Sequence, residues 1–385
     1  LKLENYGIRG ILNDWFKSFL SNREKMVLVN GVLSSVSACA DISVLQGSIL
    51  GVLLFLIFIN DFMNVSDLLK ILYADDSSCL ASGPDLKELE TLVNKELQKI
   101  SLWFKCNKLV LNDKKSKCML FSVKRKKENI NLFLNNNDLD EFDEKKLLPL
   151  EQITNNSKEP FIRVLGFHIN ETLDIQDHGS ILASKLAKAV FLLNRVKHLM
   201  SLKTMKMLYY AHFHSHLSFC SMFFPMFSQK MLNRINILQK KAIRAVAKSS
   251  PKAHTNKLFF RLEILPLNLL IDFNLLQFMH RYINHKVPET FANTWPTIFE
   301  RNNNMRDLRR SGEFYIKLCH YEKLKRHPLF NLPKKWNELK DPVKFMLDCI
   351  DFKSSLKKFL LNHIDISECK DPFCYTCGKV TQPVY

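Results

Sequence analysis

The chain has 385 residues, 46% of them hydrophobic, and 56 Lys and Arg against 38 Asp and Glu give a formal charge of +18. That apolar content is enough for the cores of two or three compact regions and argues against disorder over most of the chain. The charge favours a polyanionic partner through phosphate neutralisation and counterion release, with a merely soluble basic protein as the alternative on charge alone.

Leu1 to Gly10 mixes charges with apolar residues, so no secretory signal is expected. A chain that opens on Leu1 and not on Met is expected to be a fragment. Over residues 1 to 45, Asn13 to Leu20 reads as helix and Lys25 to Asn30 as strand, and Asn30-Gly31 between apolar stretches signals a hairpin. The longest apolar run, Ile49 to Ile59, is about half of what a bilayer-spanning helix needs and is expected as a buried core helix. No membrane association is expected. From Leu68 to Leu80, apolar arms flank Asp75-Asp76 and read as strand, tight turn and returning strand.

After Ser82-Gly83-Pro84-Asp85, apolar residues at Leu86, Leu89, Val93, Leu97, Ile100 and Phe104 fall at helical spacings of three and four. Lys108 to Phe121 returns to strand character around a polar turn at Asn112 to Lys115. Residues 128 to 160, rich in Asn and acids, read as an excursion from the core with a turn at Asn135 to Asn137. From about Ile181 onward helical periodicity dominates. Ten cysteines, at 39, 79, 106, 118, 220, 319, 349, 369, 374 and 377, sit mostly among apolar neighbours, as reduced thiols in an intracellular protein do.

The chemistry concentrates at Tyr73-Ala74-Asp75-Asp76. Two adjacent carboxylates at a hairpin tip cannot both hide, and their oxygens suit Mg²⁺, or Mn²⁺ in its place. In a two-metal nucleotidyl transfer such ions activate the attacking 3′-hydroxyl and stabilise the developing charge. Asp is also simply a good turn residue, so the dipeptide alone leaves a structural role open.

Val44 to Gly51, with Gln46-Gly47, followed by Leu53 to Asp61 and then by Tyr73 to Asp76, resembles the consecutive polymerase motifs of non-LTR retrotransposon reverse transcriptases. Tyr6 to Gly10, Trp103, Asn107-Lys108-Leu109, Leu111-Asn112, Leu165-Gly166 and Trp336-Asn337 with Leu339 are similar to jockey-type elements. The Trp336-Asn337 region disfavours a group II intron-type maturase. The resemblance implies an α+β fold: a partial palm over 1–175, built as an antiparallel sheet with packed helices, a helical thumb over 176–250, and a helical C-terminal region over 251–385. It implies an RNA-directed DNA polymerase that extends a primer 3′-hydroxyl, with RNA template, DNA primer and deoxynucleoside triphosphates as partners, acting in nucleus and cytoplasm.

By the same resemblance Asp75 and Asp76 are the metal-binding pair and Tyr73 lies near the primer end. Gln46 and Gly47 shape the site for template and incoming nucleotide, where a missing Cβ lets backbone and substrate approach closely. Lys115 is a proton donor to pyrophosphate, or a solvated turn lysine. Leu165-Gly166-Phe167 is similar to the hairpin that grips the primer. Leu45 and Val52 stand where the family has prolines, which loosens a site that depends on fixed geometry. The family's first catalytic aspartate lies upstream of the stretch matching Leu1 to Gly10. The chain alone is therefore expected to be nearly inactive, and a catalytically dead nucleic-acid-binding remnant is the alternative.

Three further groups complete the expectation. Lys241, Arg244 and Lys248, with Arg234 and Lys240 nearby, read as a helical stripe along a template–primer duplex, or as an ordinary solvated face. His212, His214 and His216 alternate and scatter around a helix, so only His212 and His216 share a face. Cys369, Cys374 and Cys377, with His363 upstream, have the gap of many zinc sites without the usual full spacing, leaving zinc or loose thiols.

Overall fold

The computed structural model describes residues 2–35, 37–38, 44, 47–112, 114–122, 128–134, 148–297, 313–339 and 349–364. The chain divides into two units, Leu1–Gly166 with Asn170–Leu173, and Phe167–Ile169 with Asp174–Tyr385. Helix and strand are mixed in the first, and helix dominates the second.

In the first unit, helices α1 (Lys2–Asn5) and α2 (Ile11–Leu20) precede four short strands, β1 (Glu24–Lys25), β2 (Leu28–Val29), β3 (Val32–Leu33) and β4 (Ser37–Ala38). β2 and β3 pair antiparallel across Asn30-Gly31, with φ of 49° and 80°. Both values are positive, as the tightest two-residue hairpin turn requires. The expected hairpin is present.

Helix α3 (Ile49–Ile59) starts where the Ser48 hydroxyl accepts from the Gly51 N–H at 2.9 Å. It was expected to be buried, and only part of it is: Gly51, Leu54 and Ile59 are covered, while Ile49 is 90% and Val52 62% exposed. A helix apolar all round needs partners on every side, and here the core touches one. A 3₁₀ turn (Asn60–Asn64) follows and plants the fully buried Phe62 against Trp103 and Phe104, at ring-centroid distances of 5.1 and 5.3 Å. Among the described residues no single helix is long and apolar enough to cross a membrane.

Strands β5 (Leu69–Tyr73) and β6 (Asp76–Leu80) form an antiparallel hairpin. Helix α4 (Leu86–Cys106) is capped by Asp85, whose carboxylate accepts from the N–H groups of Lys87 and Glu88 at 2.8 and 3.0 Å. Its periodic face buries Leu97, Ile100 and Phe104 with Ile59, Leu68, Ile130 and Leu132 in one core. The strand character expected over Lys108 to Phe121 is reduced to β7 (Lys117–Cys118), followed by β8 (Phe133–Leu134), β9 (Leu148–Pro149) and β10 (Glu151–Gln152). An antiparallel palm sheet with packed helices was expected. Among the described residues the strands form separate two-stranded pairs: β7 with β10 parallel, and β1 with β4, β2 with β3, β5 with β6 and β8 with β9 antiparallel.

Further along the chain, β11 (Ile162–Val164) and β12 (Phe167–Ile169) flank Leu165 and Gly166, whose φ values are 49° and 90°. The second unit then runs through α5 (Gln176–Val196), α6 (Leu202–Tyr209), a π-helical stretch (Tyr210–His214), α7 (Ser215–Ser218), α8 (Gln229–Val246), α9 (Asn256–Leu262), α10 (Leu267–Ile283), α11 (Glu322–Lys325), α12 (Pro328–Glu338) and α13 (Cys349–Asn362). At the packing of α5 on α8, Gly179 leaves space that a Cβ would fill, 2.9 Å from the Met231 Cγ. Residues of 176–250 and of 251–385 share one core, in which Leu186, Tyr209 and Ile243 pack with Phe259, Met279, Trp336 and Phe352. Asn337 closes it by donating to the Phe314 carbonyl at 2.9 Å and accepting from its N–H at 3.0 Å.

Candidate functional site

The hairpin β5–β6 turns on two residues. Tyr73 pairs with Asp76, so Ala74 and Asp75 form the loop, with Ala74 in the left-handed region at φ 52°. A non-glycine residue there stores strain and often marks a functional turn. Both carboxylates are exposed, and so is the Tyr73 ring. Among the described residues neither carboxylate is hydrogen-bonded or ion-paired through its side chain.

Adjacent negative charges left without partners attract a cation. The donor set fits a hard ion that takes oxygen ligands and fills the rest of its shell with water and phosphate. Among the described residues no group of three or more His, Cys, Asp or Glu could hold a metal.

The base of the hairpin is anchored from both sides. Lys70 is buried at 6% exposure, and its ammonium donates to the Ser66 carbonyl, to the Ser66 hydroxyl at 3.0 Å and to the Leu68 carbonyl at 3.2 Å. The Glu96 carboxylate accepts from the Asp67 N–H at 2.9 Å and pairs with Lys99 at 2.7 Å. The ammonium and the Asp67 N–H hold Glu96 below the usual carboxylate range. The loop leading into β5 is thus held by one buried cation and one buried anion. Neither residue was singled out from the sequence, where a lysine in a strand reads as solvated.

Other expected site residues are placed as follows. Gly47 has φ 87°, a left-handed conformation that favours glycine, and among the described residues nothing lies within 4 Å of an added Cβ. Gln46 lies outside the described residues, as do Cys369, Cys374 and Cys377. Lys115 is exposed in the turn after Asn112, with its backbone N–H donating to the Asn112 carbonyl at 3.1 Å. The His363 Nδ1 meets the Phe359 carbonyl at 2.8 Å. Tyr6 accepts from Asn60 at 2.7 Å, and Lys2 pairs with Asp61 at 2.9 Å, tying the first helix to the end of α3. Burial, with Lys357 nearby, lowers the affinity of His214 for a proton, as burial with Lys185 and His212 does for His216.

The three residues of the basic stripe are placed differently. Lys248 lies past the end of α8 at φ 52°, which ends the helix and turns the chain back on itself. The returning loop partly covers Arg244, whose Nε donates to the Ala253 carbonyl at 2.8 Å, and this partial burial lowers the affinity of its guanidinium for a proton. Of the three only Lys241 belongs to the outward face. It lines an open groove with Lys230, Asn233, Arg234, Ile237 and Leu238.

Lys230 and Ile237 were missed from the sequence. Their signal is the spacing 230, 234, 237, 241 within a larger pattern: between residues 178 and 262 there are fifteen Lys and Arg and no Asp or Glu. A stretch that long without an acid repels cations and other basic proteins and attracts phosphate. No protein-family model, curated protein or solved structure matches the chain.

Proposed function

We propose that this chain is the palm and thumb portion of a non-LTR retrotransposon reverse transcriptase, an RNA-directed DNA polymerase that adds deoxynucleotides to a primer 3′-hydroxyl. The observation that carries the proposal is the two-residue hairpin turn that presents Asp75 and Asp76 bare to solvent, beside Tyr73.

In this reading Asp75 and Asp76 hold Mg²⁺, with Mn²⁺ as substitute. The ion supplies charge neutralisation at the phosphoryl oxygens and lowers the pKa of the attacking hydroxyl. Tyr73, next to the pair on β5, offers its ring to the primer terminus. Lys115, exposed in its turn, is free to deliver a proton to pyrophosphate. The Leu165-Gly166 turn grips the primer, and the groove of Lys230, Arg234 and Lys241 follows the phosphates of the template–primer duplex.

The test is primer extension on an RNA template, with the chain and with a longer version fused to a segment that supplies the first catalytic aspartate. The longer protein gives Mg²⁺-dependent extension, which Asp75→Asn or Asp76→Asn lowers by at least about a hundredfold while far-UV circular dichroism stays unchanged. Undiminished extension by both variants overturns the proposal. A second reading, a nucleic-acid-binding protein without polymerase activity, is favoured by the acid-free stretch of 178–262, which works without the carboxylates. Binding of an RNA–DNA duplex with no extension by either protein selects it.

A further inference from the structure

Helix α5 buries one face, with Leu182, Leu186, Ala189 and Leu193 in the core of the second unit. Helical spacing sets Lys188, Phe191 and Arg195 on the opposite side, where all three are exposed. Phe191, at the middle of this solvated face, is 65% exposed. The Arg195 guanidinium carbon stands 5.5 Å from the centre of its ring. One exposed phenylalanine is ordinary on a protein surface. This one carries a cation over its ring, has a lysine one turn before it, and sits in the stretch of fifteen basic and no acidic residues.

We infer that Phe191, with Arg195 and Lys188, is a stacking platform for an unpaired base of a single-stranded nucleic acid. The aromatic face takes the base and the two cations take the flanking phosphates. A duplex does not satisfy this arrangement, because its base faces are covered by their neighbours. An acidic peptide satisfies the cations and leaves the ring without a planar partner. The platform requires neither Asp75 nor Asp76, so it stands apart from the polymerase reading, and loss of extension in the Asn variants leaves it untouched.

The experiment uses the full chain and a short single-stranded RNA carrying 2-aminopurine, whose fluorescence is quenched on stacking. An RNA–DNA duplex and an abasic strand of equal length serve as comparisons. Phe191→Ala weakens the single strand by about tenfold and abolishes the quenching, and Phe191→Trp retains both. Duplex binding is unchanged in Phe191→Ala. Because Phe191 contributes nothing to the core, thermal unfolding of the variant matches the parent, which separates lost binding from lost structure. Equal affinity of Phe191→Ala for the single strand, or equal affinity of the parent for the abasic strand, overturns the inference. So does self-association in sedimentation that Phe191→Ala removes while RNA binding persists, since the ring then serves a second copy of the chain.

Discussion

Replacing Lys230, Arg234 and Lys241 together by Ala separates the face proposed to meet phosphate from the one that helical spacing alone proposes. The three line one open groove on α8. Each phosphate contact contributes about 0.9 to the slope of log K against log salt on a duplex, so the triple variant loses about 2.7 units of slope. Raising salt fourfold, from about 0.05 to 0.2 M, then costs the parent about fortyfold more affinity than the variant. The assay is fluorescence anisotropy of a labelled RNA–DNA duplex across a KCl series. Arg244→Ala is the internal contrast, because its Nε is committed to the Ala253 carbonyl. It keeps the parent's slope and lowers stability by about 1–2 kcal/mol, having lost a partly buried charge-assisted hydrogen bond. An unchanged slope in the triple variant, or a loss in Arg244→Ala equal to that in Lys241→Ala, refutes the assignment of the face.

Three more outcomes are expected. Lys70→Met removes the donor shared by Ser66 and Leu68 and destabilises the β5–β6 hairpin by about 2–3 kcal/mol, read as faster amide hydrogen exchange across Leu69 to Leu80; unchanged protection would show that the buried ammonium does not anchor the strands. His178, buried and placed with its Nδ1 3.3 Å from that of His168, has its pKa pushed down from 6.5 to about 4 by burial, with His168 and Lys185 adding to it. The unfolded chain therefore takes up this proton first, and stability falls between pH 6.5 and about 4 by about 2 kcal/mol after allowance for solvent screening; His178→Gln should flatten that part of the pH–melting curve. Gly179→Ala gains about 1 kcal/mol of helix propensity but drives its Cβ against Met231, for a net loss of about 1 kcal/mol in urea unfolding, and a more stable variant would mean that α5 and α8 are not held that close.

Local chemistry is what the sequence by itself determined. Apolar arms around Asp75-Asp76 dictate a hairpin whose tip carries both carboxylates, since neither can be buried unpaired. Asp85 and the three-four spacing after it dictate α4 and its buried face. Asn30-Gly31 dictates its turn because both residues tolerate positive φ. Each of these depends only on neighbours within a few residues.

Other features depend on parts of the chain far apart in sequence, and only the tertiary structure decided them. Periodicity places Arg244 beside Lys241, but the loop that returns after Lys248 partly covers the first and leaves the second exposed. Composition makes α3 a core helix, yet Ile49 and Val52 stay exposed because packing reaches one side of it. Lys70 reads as a solvated strand residue until the carbonyls of Ser66 and Leu68 converge on it. Residues of 176–250 and 251–385, set apart by the resemblance, share one core, because helices with single apolar stripes must bury them against whichever stripes the chain brings near. A pattern along the chain specifies which side chains seek cover. Which of them receive it is settled by the elements that arrive from elsewhere.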